Sequence, residues 1–459
     1  MECFTTLSEE IEGRLDPHFY RPEFIKLVNK LEKLKCKSIG EISSDLKNGS
    51  TPPGGIFEKQ GIPYFRSQDF NLFDFEINQY IKEEFHNKLK RSAIKPKDVL
   101  LAVVGATLGV VGYVPNDIKE GNINQNVVRI RTNDKGVNPK FLAIILSSGI
   151  GKKLILRNAT IQAQAYLNNS QLADIKVPVP SLEKQDKIIQ LIDKAYSLKK
   201  FHEAEAQQLL DSVNGYILAE LGIKIPELND KMCYSVNSEE IENNRCDAYY
   251  YQPKFDEAEK AIKKGKYEVK KLKEFITMIH YGASVKNDYI KEEGIPFLRI
   301  LNLKPNKIEL ENVVNLPETM RKELGNAFVK EGDLLISRSG TVGVISVVPK
   351  EAEGYAFGSF MIKFCLGKEI NGEYVSIWLN TKIQQFFTER EKIGAIQGNI
   401  TIGTIENFKL PIPPLAVQDK IAEEAKARIK KAEQLQKEAK EELEMAKRET
   451  EQLILSEAE

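Results

Sequence analysis

Val177–Ile189 reads VPVPSLEKQDKII, and Leu410–Ala422 reads LPIPPLAVQDKIA. Pro-x-Pro, a short gap and Gln-Asp-Lys-Ile thus occur twice, half a chain length apart. Proline is tolerated at a helix start and excluded from a helix interior, so each stretch marks a stiff exit from a globule into a helix.

The repeat extends well beyond these two exits. Asp16, Tyr20, Pro22 and Phe24 are answered by Asp247, Tyr251, Pro253 and Phe255. GIPYFR (61–66) returns as GIPFLR (294–299), and KPKDVLLAVVGATLGVVGYVP (95–115) returns as KEGDLLISRSGTVGVISVVP (330–349). PKFLAIILSS (139–148) aligns with GEYVSIWLNT (372–381), matching Phe141 to Tyr374, Ile144 to Ile377, Ile145 to Trp378 and Leu146 to Leu379. Asn138 and Pro139 read as N-cap and first residue of a helix there. Each half is therefore a mixed α/β globule that leaves through Pro-x-Pro into a helix.

The apolar run Val99–Val114 falls short of the roughly 18 residues of a membrane span. Its second copy carries Arg338, so the element reads as strand, turn and strand. Lys plus Arg and Asp plus Glu both number 66, so no net charge draws the whole chain to a polyanion or a membrane surface. The N-terminal MECFTTLSEEIEGRL lacks the basic start and apolar core of a secretion signal, and a cytoplasmic protein is expected. Five scattered cysteines without a C-x-x-C pair indicate neither a disulfide framework nor a zinc site. His18, His86 and His202 read as packing or surface residues, and no metal site is expected.

In the second helix Ile421, Ala425, Ile429, Ala432, Leu435, Ala439, Leu443, Ala446 and Leu453 recur at three and four, with the four alanines a heptad apart. In the first, Ile188, Leu191, Ala195, Leu198, His202, Leu209, Val213 and Ile217 keep the same rhythm up to Gly222. Each helix is predicted to run about 40 residues, or about 60 Å. So long an amphipathic helix needs a partner stripe, and antiparallel pairing of the two yields two similar heads on a rod. The expected division is 1–180 and 223–412 for the heads, with 181–222 and 413–459 for the helices.

The GIPYFR/GIPFLR blocks, the Asp-Val-Leu-Leu/Asp-Leu-Leu-Ile blocks with their Gly turns, and the PVPSLEKQDKI/PIPPLAVQDKI exits together resemble the specificity subunit of type I restriction-modification systems over nearly the whole chain. That resemblance implies an α/β fold with two target recognition domains on two long antiparallel coiled-coil helices. It further implies a split double-stranded DNA target, two DNA methylation subunits docked on the helices, and restriction/translocase subunits recruited to them. S-adenosylmethionine, ATP and Mg are then expected on partner subunits, with no cofactor in this chain.

The residues agree with a non-catalytic role. Gly105, Gly109 and Gly112 are spaced G-x-x-x-G-x-x-G rather than G-x-G-x-x-G, no G-x-x-x-x-G-K-[ST] occurs, and neither Pro-Pro pair has the neighbours of a base-methylating motif. No catalytic residue is assigned. A coiled-coil scaffold whose heads bind proteins is the alternative.

Base reading takes Arg or Lys for guanine, Asn or Gln for adenine, and Ser or Thr as adaptable partners. In the first head the candidates are Asn48 and Ser50 in a Gly-rich loop, and Arg66, Ser67 and Gln68 after a strand. In the second they are His280, Tyr281, Lys286, Arg299, Asn302, Lys304 and Arg338. Arg66 and Arg299 occupy equivalent positions, for which a shared structural salt bridge is the alternative reading. Gln162, Gln164, Gln397 and Asn399, ahead of the exits, suit phosphate, a partner subunit or a turn cap. Gln185 and Gln418 are the candidate docking residues for partner subunits.

Overall fold

The unbroken apolar run at Val99 is explained by what lies on its two sides in the computed structural model, which describes residues 11, 14–133, 135–161, 163–241, 247–286, 288–392 and 398–456. Val99–Ala102 is the third strand of an antiparallel sheet ordered Ser43–Asn48, Val127–Thr132, Val99–Ala102, Val111–Tyr113. Successive strand residues point to opposite faces. Val99, Leu101 and Val103 enter one core, while Leu100 enters a second with Phe65, Ile94 and Ile123. A strand covered on both faces needs no polar alternation, and a turn at Gly105–Thr107 separates it from its neighbour. No helix among the described residues is long and apolar enough to cross a membrane.

The same sheet is built again from Ile276–Tyr281, Met361–Leu366, Leu334–Ser337 and Ile345–Val347. Leu334 and Ile336 face one core, Leu335 and Met361 the other. A smaller sheet accompanies each: Ile62–Phe65 runs parallel to Gly121–Ile123, and Ile295–Leu298 runs parallel to Ala356–Phe357. Asn138 caps Pro139–Ser147 by accepting from the Lys140 N–H, and Asn371 caps Gly372–Leu379 by accepting from the Glu373 and Tyr374 N–H groups.

The chain divides into two compact units, one drawing its described residues from 1–203 and 436–459, the other from 204–435. Each unit holds one globule and part of both long helices, Leu182–Glu220 and Leu415–Leu455. In the first unit Ile188, Ile192 and Tyr196 share a core with Leu443, Ala446 and Ile454, and the His202 ring lies 3.5 Å from the Glu442 carboxylate. In the second, Ala206 packs with Ala432 and Leu435, Arg428 donates to the Ser212 hydroxyl at 3.1 Å, and Lys420 reaches Glu220 at 3.0 Å. Within each unit, later residues of one helix meet earlier residues of the other, so the pairing is antiparallel. All four heptad alanines are buried. The first helix also buries Tyr196 and Ala206, which its sequence rhythm did not mark.

The repeated exit has a specific structural role. Lys176–Pro178 pairs with Cys36–Ser38, and Lys409–Pro411 with Val269–Lys271, and in each Pro-x-Pro the middle residue gives the last ribbon bond, Val179 N–H to Lys35 O and Ile412 N–H to Glu268 O, both at 2.8 Å. Gln185 follows one turn into its helix and is fully buried. Its Oε1 accepts from the Asn138 N–H at 2.9 Å, and its Nε2 donates to the Gly136 and Pro180 carbonyls at 2.8 and 2.9 Å. Gln418 repeats this, accepting from the Asn371 N–H at 2.9 Å and donating to the Pro413 carbonyl at 2.8 Å. The docking role expected of both glutamines is therefore corrected: each side chain is used up inside the protein, locking the long helix to the cap of the short one.

Replacing Gln185 or Gln418 by Leu strands a buried backbone N–H and at least one carbonyl. Each change is expected to cost about 2–4 kcal/mol, read as a lower urea midpoint with an unchanged slope.

Candidate nucleic-acid interface

Each globule carries a rim where three neighbouring strands of its larger sheet end together. In the first, this rim joins the ends of Ser43–Asn48 and Val99–Ala102 to the start of Val127–Thr132. Gly49 makes the join possible, because a Cβ there would stand 2.0 Å from the Ile123 carbonyl oxygen. Gly282 is its counterpart, with a Cβ position 2.3 Å from the Gly358 oxygen. Only glycine allows so close a backbone approach.

The Gly-rich loop is pinned rather than loose. The Ser50 N–H donates to Ile123 O at 2.9 Å, its carbonyl accepts from the Tyr64 hydroxyl, and its own hydroxyl accepts from Arg91 Nε at 3.1 Å. The Asn48 amide donates to Gln125 O at 3.4 Å, and the Thr51 hydroxyl bonds the Gln125 side chain. Asn48 and Ser50 are thus brought together, with Thr51, Arg91 and Gln125 beside them. Those three were missed, although for Gln125 the amide-dense GNINQN (121–126), the end of strand Gly121–Ile123 and the turn after it, was a readable signal.

The second rim places Tyr281, Arg338 and Phe360 at the matching strand ends. The Arg338 N–H donates to Phe360 O at 2.9 Å, and its guanidinium lies 4.6 Å over the Tyr281 ring. Tyr281 is 41% exposed and Phe360 52%. His280 sits next to them, its ring 5.8 Å from that of Phe357. Phe360 was missed because the sequence pattern FGSFM does not show which phenylalanine faces outward.

The other candidates lie on a turn following each GIP strand. In the first head buried Asp69 accepts from the Arg66 N–H at 2.8 Å, from Arg66 Nε and Nη2 at 2.9 and 3.0 Å, and from Asn78 at 3.2 Å. Arg66 is therefore held in a salt bridge, the structural role left open for this position. Ser67 is half-buried and Gln68 exposed on the same turn. In the second head Asn302 takes the place of Asp69, accepting from the Arg299 N–H at 2.9 Å and donating to Glu309 O at 3.0 Å. Asn302 is 2% exposed, so its expected base contact is corrected: it is a turn cap that no DNA base reaches. Arg299 lies 5.4 Å over Tyr289 and donates to Asn312 O. Lys304 is 3.7 Å from Glu309, and Lys286 is exposed in a separate loop. Gln162 and Gln397 lie outside the described residues. Gln164 is exposed, and Asn399 bridges to Ser339 beside the second rim.

At the end of each strand opposite the rim an aspartate ties the strand to a cation. Asp98 accepts from the Lys95 N–H and pairs with Arg131 at 2.6 Å, while Asp333 accepts from the Lys330 N–H and pairs with Lys363 at 2.8 Å. Cys365 adds a hydrogen bond to Asp333, and burial together with that carboxylate pushes its thiol up to about 11. It is thus a protonated donor, not a nucleophile. Among the described residues no cluster of His, Cys, Asp or Glu could hold a metal ion.

The family model described as the type I restriction modification DNA specificity domain matches twice, at residues 29–211 and 264–445. The chain belongs to this family, and its two domains make it a DNA specificity subunit of the type I class. It is 32% identical to the type I restriction enzyme EcoBI specificity subunit of Escherichia coli over 168 residues, which span 36% of this chain and 35% of that one. Against the MjaVIII specificity subunit of Methanocaldococcus jannaschii it is 22% identical over 398 residues, covering 84% and 85% of the two chains. A chain from a solved structure on complex assembly and conformational transition of the type I R-M system shares the fold, with a TM-score of 0.50 at 16% identity, covering 92% of this chain and 97% of that one.

Burial alone would raise the Asp69 pKa, but hydrogen bonds from Arg66 and Asn78 outweigh it and hold the carboxyl below its ordinary value. A depressed carboxylate contributes stability above its unfolded pKa, about 4, and loses it as pH falls through the folded value. Asp69→Asn, which copies Asn302, is expected to cost about 1 kcal/mol near neutrality, discounted for the partial exposure of Arg66. Urea midpoints of parent and variant should converge as pH falls below about 4.

Proposed function

We propose that each globule reads one half of a split double-stranded DNA target, and that the two halves differ in sequence. The observation that carries this is a common frame with unlike rims. Gly49/Gly282, Asp69/Asn302, Asp98/Asp333 and Gln185/Gln418 play the same structural parts in both copies. At matching rim positions, by contrast, Asn48 faces Tyr281, Val103 faces Arg338, and Asn126 faces Phe360 in the alignment of the two copies. A shared scaffold with exchanged edge chemistry is what two half-sites of different base composition require.

In this reading the chain performs no chemistry. Two DNA methylation subunits dock on exposed faces of the paired helices, restriction/translocase subunits join them, and S-adenosylmethionine, ATP and Mg belong to those partners. The balance of 66 basic and 66 acidic residues supports a divided task, with partners supplying much of the phosphate neutralisation. The EcoBI and MjaVIII relatives are named as specificity subunits of type I restriction enzymes, which supports the same assignment.

The helix pair serves as the ruler between half-sites, as rigid frames do for paired DNA readers. Mapping methylated bases in the host genome with and without this gene should reveal a two-part motif of fixed spacing that depends on it. Removing one matched heptad from both helices shortens the pair by about 10 Å, so the gap should shrink by about three base pairs with both half-sites unchanged. A motif retaining its original gap would exclude the ruler, and methylation unaffected by loss of the gene would exclude the assignment.

A further inference from the structure

Arginine is tied down at most places in this protein. Arg66, Arg129, Arg131, Arg321 and Arg428 each engage a carboxylate, on Asp69, Asp45, Asp98, Glu318 and Glu424 respectively. Arg338 is held differently. Its backbone is fixed on both sides, the N–H to Phe360 O at 2.9 Å and the carbonyl accepting from the Ile400 N–H at 3.0 Å. Its guanidinium rests on the Tyr281 ring at 4.6 Å, its Nε is buried with no hydrogen-bond partner among the described residues, and the residue as a whole is half-buried. Strand ends thus fix the base of the side chain and an aromatic face orients its plane, leaving the terminal Nη1 and Nη2 groups as the donors for a ligand.

A planar donor fork of this kind matches the O6 and N7 acceptors on the major-groove edge of guanine. Its surroundings favour a base over a phosphate. Phe360, 52% exposed, and Tyr281, 41% exposed, border it with apolar surface, which suits base edges and a thymine methyl and gains nothing against a charged backbone. The first head has Val103 at this position, 2% exposed and part of a core, so it has no such reader there.

We infer that Arg338 reads a guanine in the half-site of the second head, with Tyr281 as the positioning residue that aims it. This rests on the assignment of the heads as half-site readers and adds the identity of one base pair and the head that reads it.

The test is base-resolved mapping of DNA methylation in host cells deleted for this gene and complemented with the parent, Arg338→Ala, Arg338→Lys or Tyr281→Ala. Arg338→Ala should relax one G·C pair of one half-site, lowering discrimination there by roughly 5- to 150-fold and leaving the spacer and the other half intact. Arg338→Lys, which keeps the charge without the fork, should relax the same pair. Tyr281→Ala should weaken that pair again and no other.

If the parent confers no two-part motif, the half-site assignment itself has failed, whatever Arg338 does. If the parent confers one, three results overturn the inference. They are a motif with no G·C pair in either half, equal stringency at every position in both Arg338 variants, or a uniform fall across all positions, which marks a phosphate contact. Should Arg338→Ala melt at a lower temperature and methylate nothing, Arg338→Lys decides. Silence of both variants with melting like the parent also counts against it.

Discussion

Everything in this protein hangs on two buried glutamines. A long helix leaving a globule through two prolines would be free to swivel unless something fixed its direction. Gln185 and Gln418 do so by closing hydrogen bonds between the first turn of each long helix and the capped start of a short one that is packed into the core. An amide suits the task because it accepts and donates at once. In a site closed to water, its bonds are worth more than exposed ones and costly to leave unmade. Proline limits where the chain can go, and glutamine selects where it goes.

The second constraint is the two-faced strand. Val99–Ala102 and Leu334–Ser337 feed alternate side chains into separate cores, so each larger sheet is covered on both sides and its strand ends become the place where polar side chains gather. Aspartates 98 and 333 anchor these strands to Arg131 and Lys363, and Gly49 and Gly282 let the neighbouring loop lie against the backbone. Identical anchoring makes the rims superimposable in role. That in turn allows their residues to differ without disturbing the fold.

Much of the architecture was readable along the chain because it rests on local signals: prolines before a helix, alanines a heptad apart, Asn-Pro at a cap, apolar runs bounded by glycine. Duplication strengthened each signal, and one substitution, Arg338 in the second copy, separated a buried strand from a membrane span. The candidate site was less readable. Asn48, Ser50, Tyr281 and Arg338 did come to the rims, but Asn302 and the two glutamines turned inward, and Arg91, Gln125 and Phe360 arrived from distant segments. Polar residue type states what a side chain can bond, not whether its partner is a base, a backbone amide or another subunit.

The chain alone determined that there are two like globules, that each ends in a stiff exit, and that two long amphipathic helices need one another, because periodicity and proline act through neighbouring residues. Tertiary structure decided which polar groups remain available. Asp69 captures Arg66 across a turn, Asn302 spends its amide on backbone, and Arg338 is left resting on Tyr281. Hydrogen-bond satisfaction is settled by three-dimensional proximity, and residues close in space here are far apart in sequence.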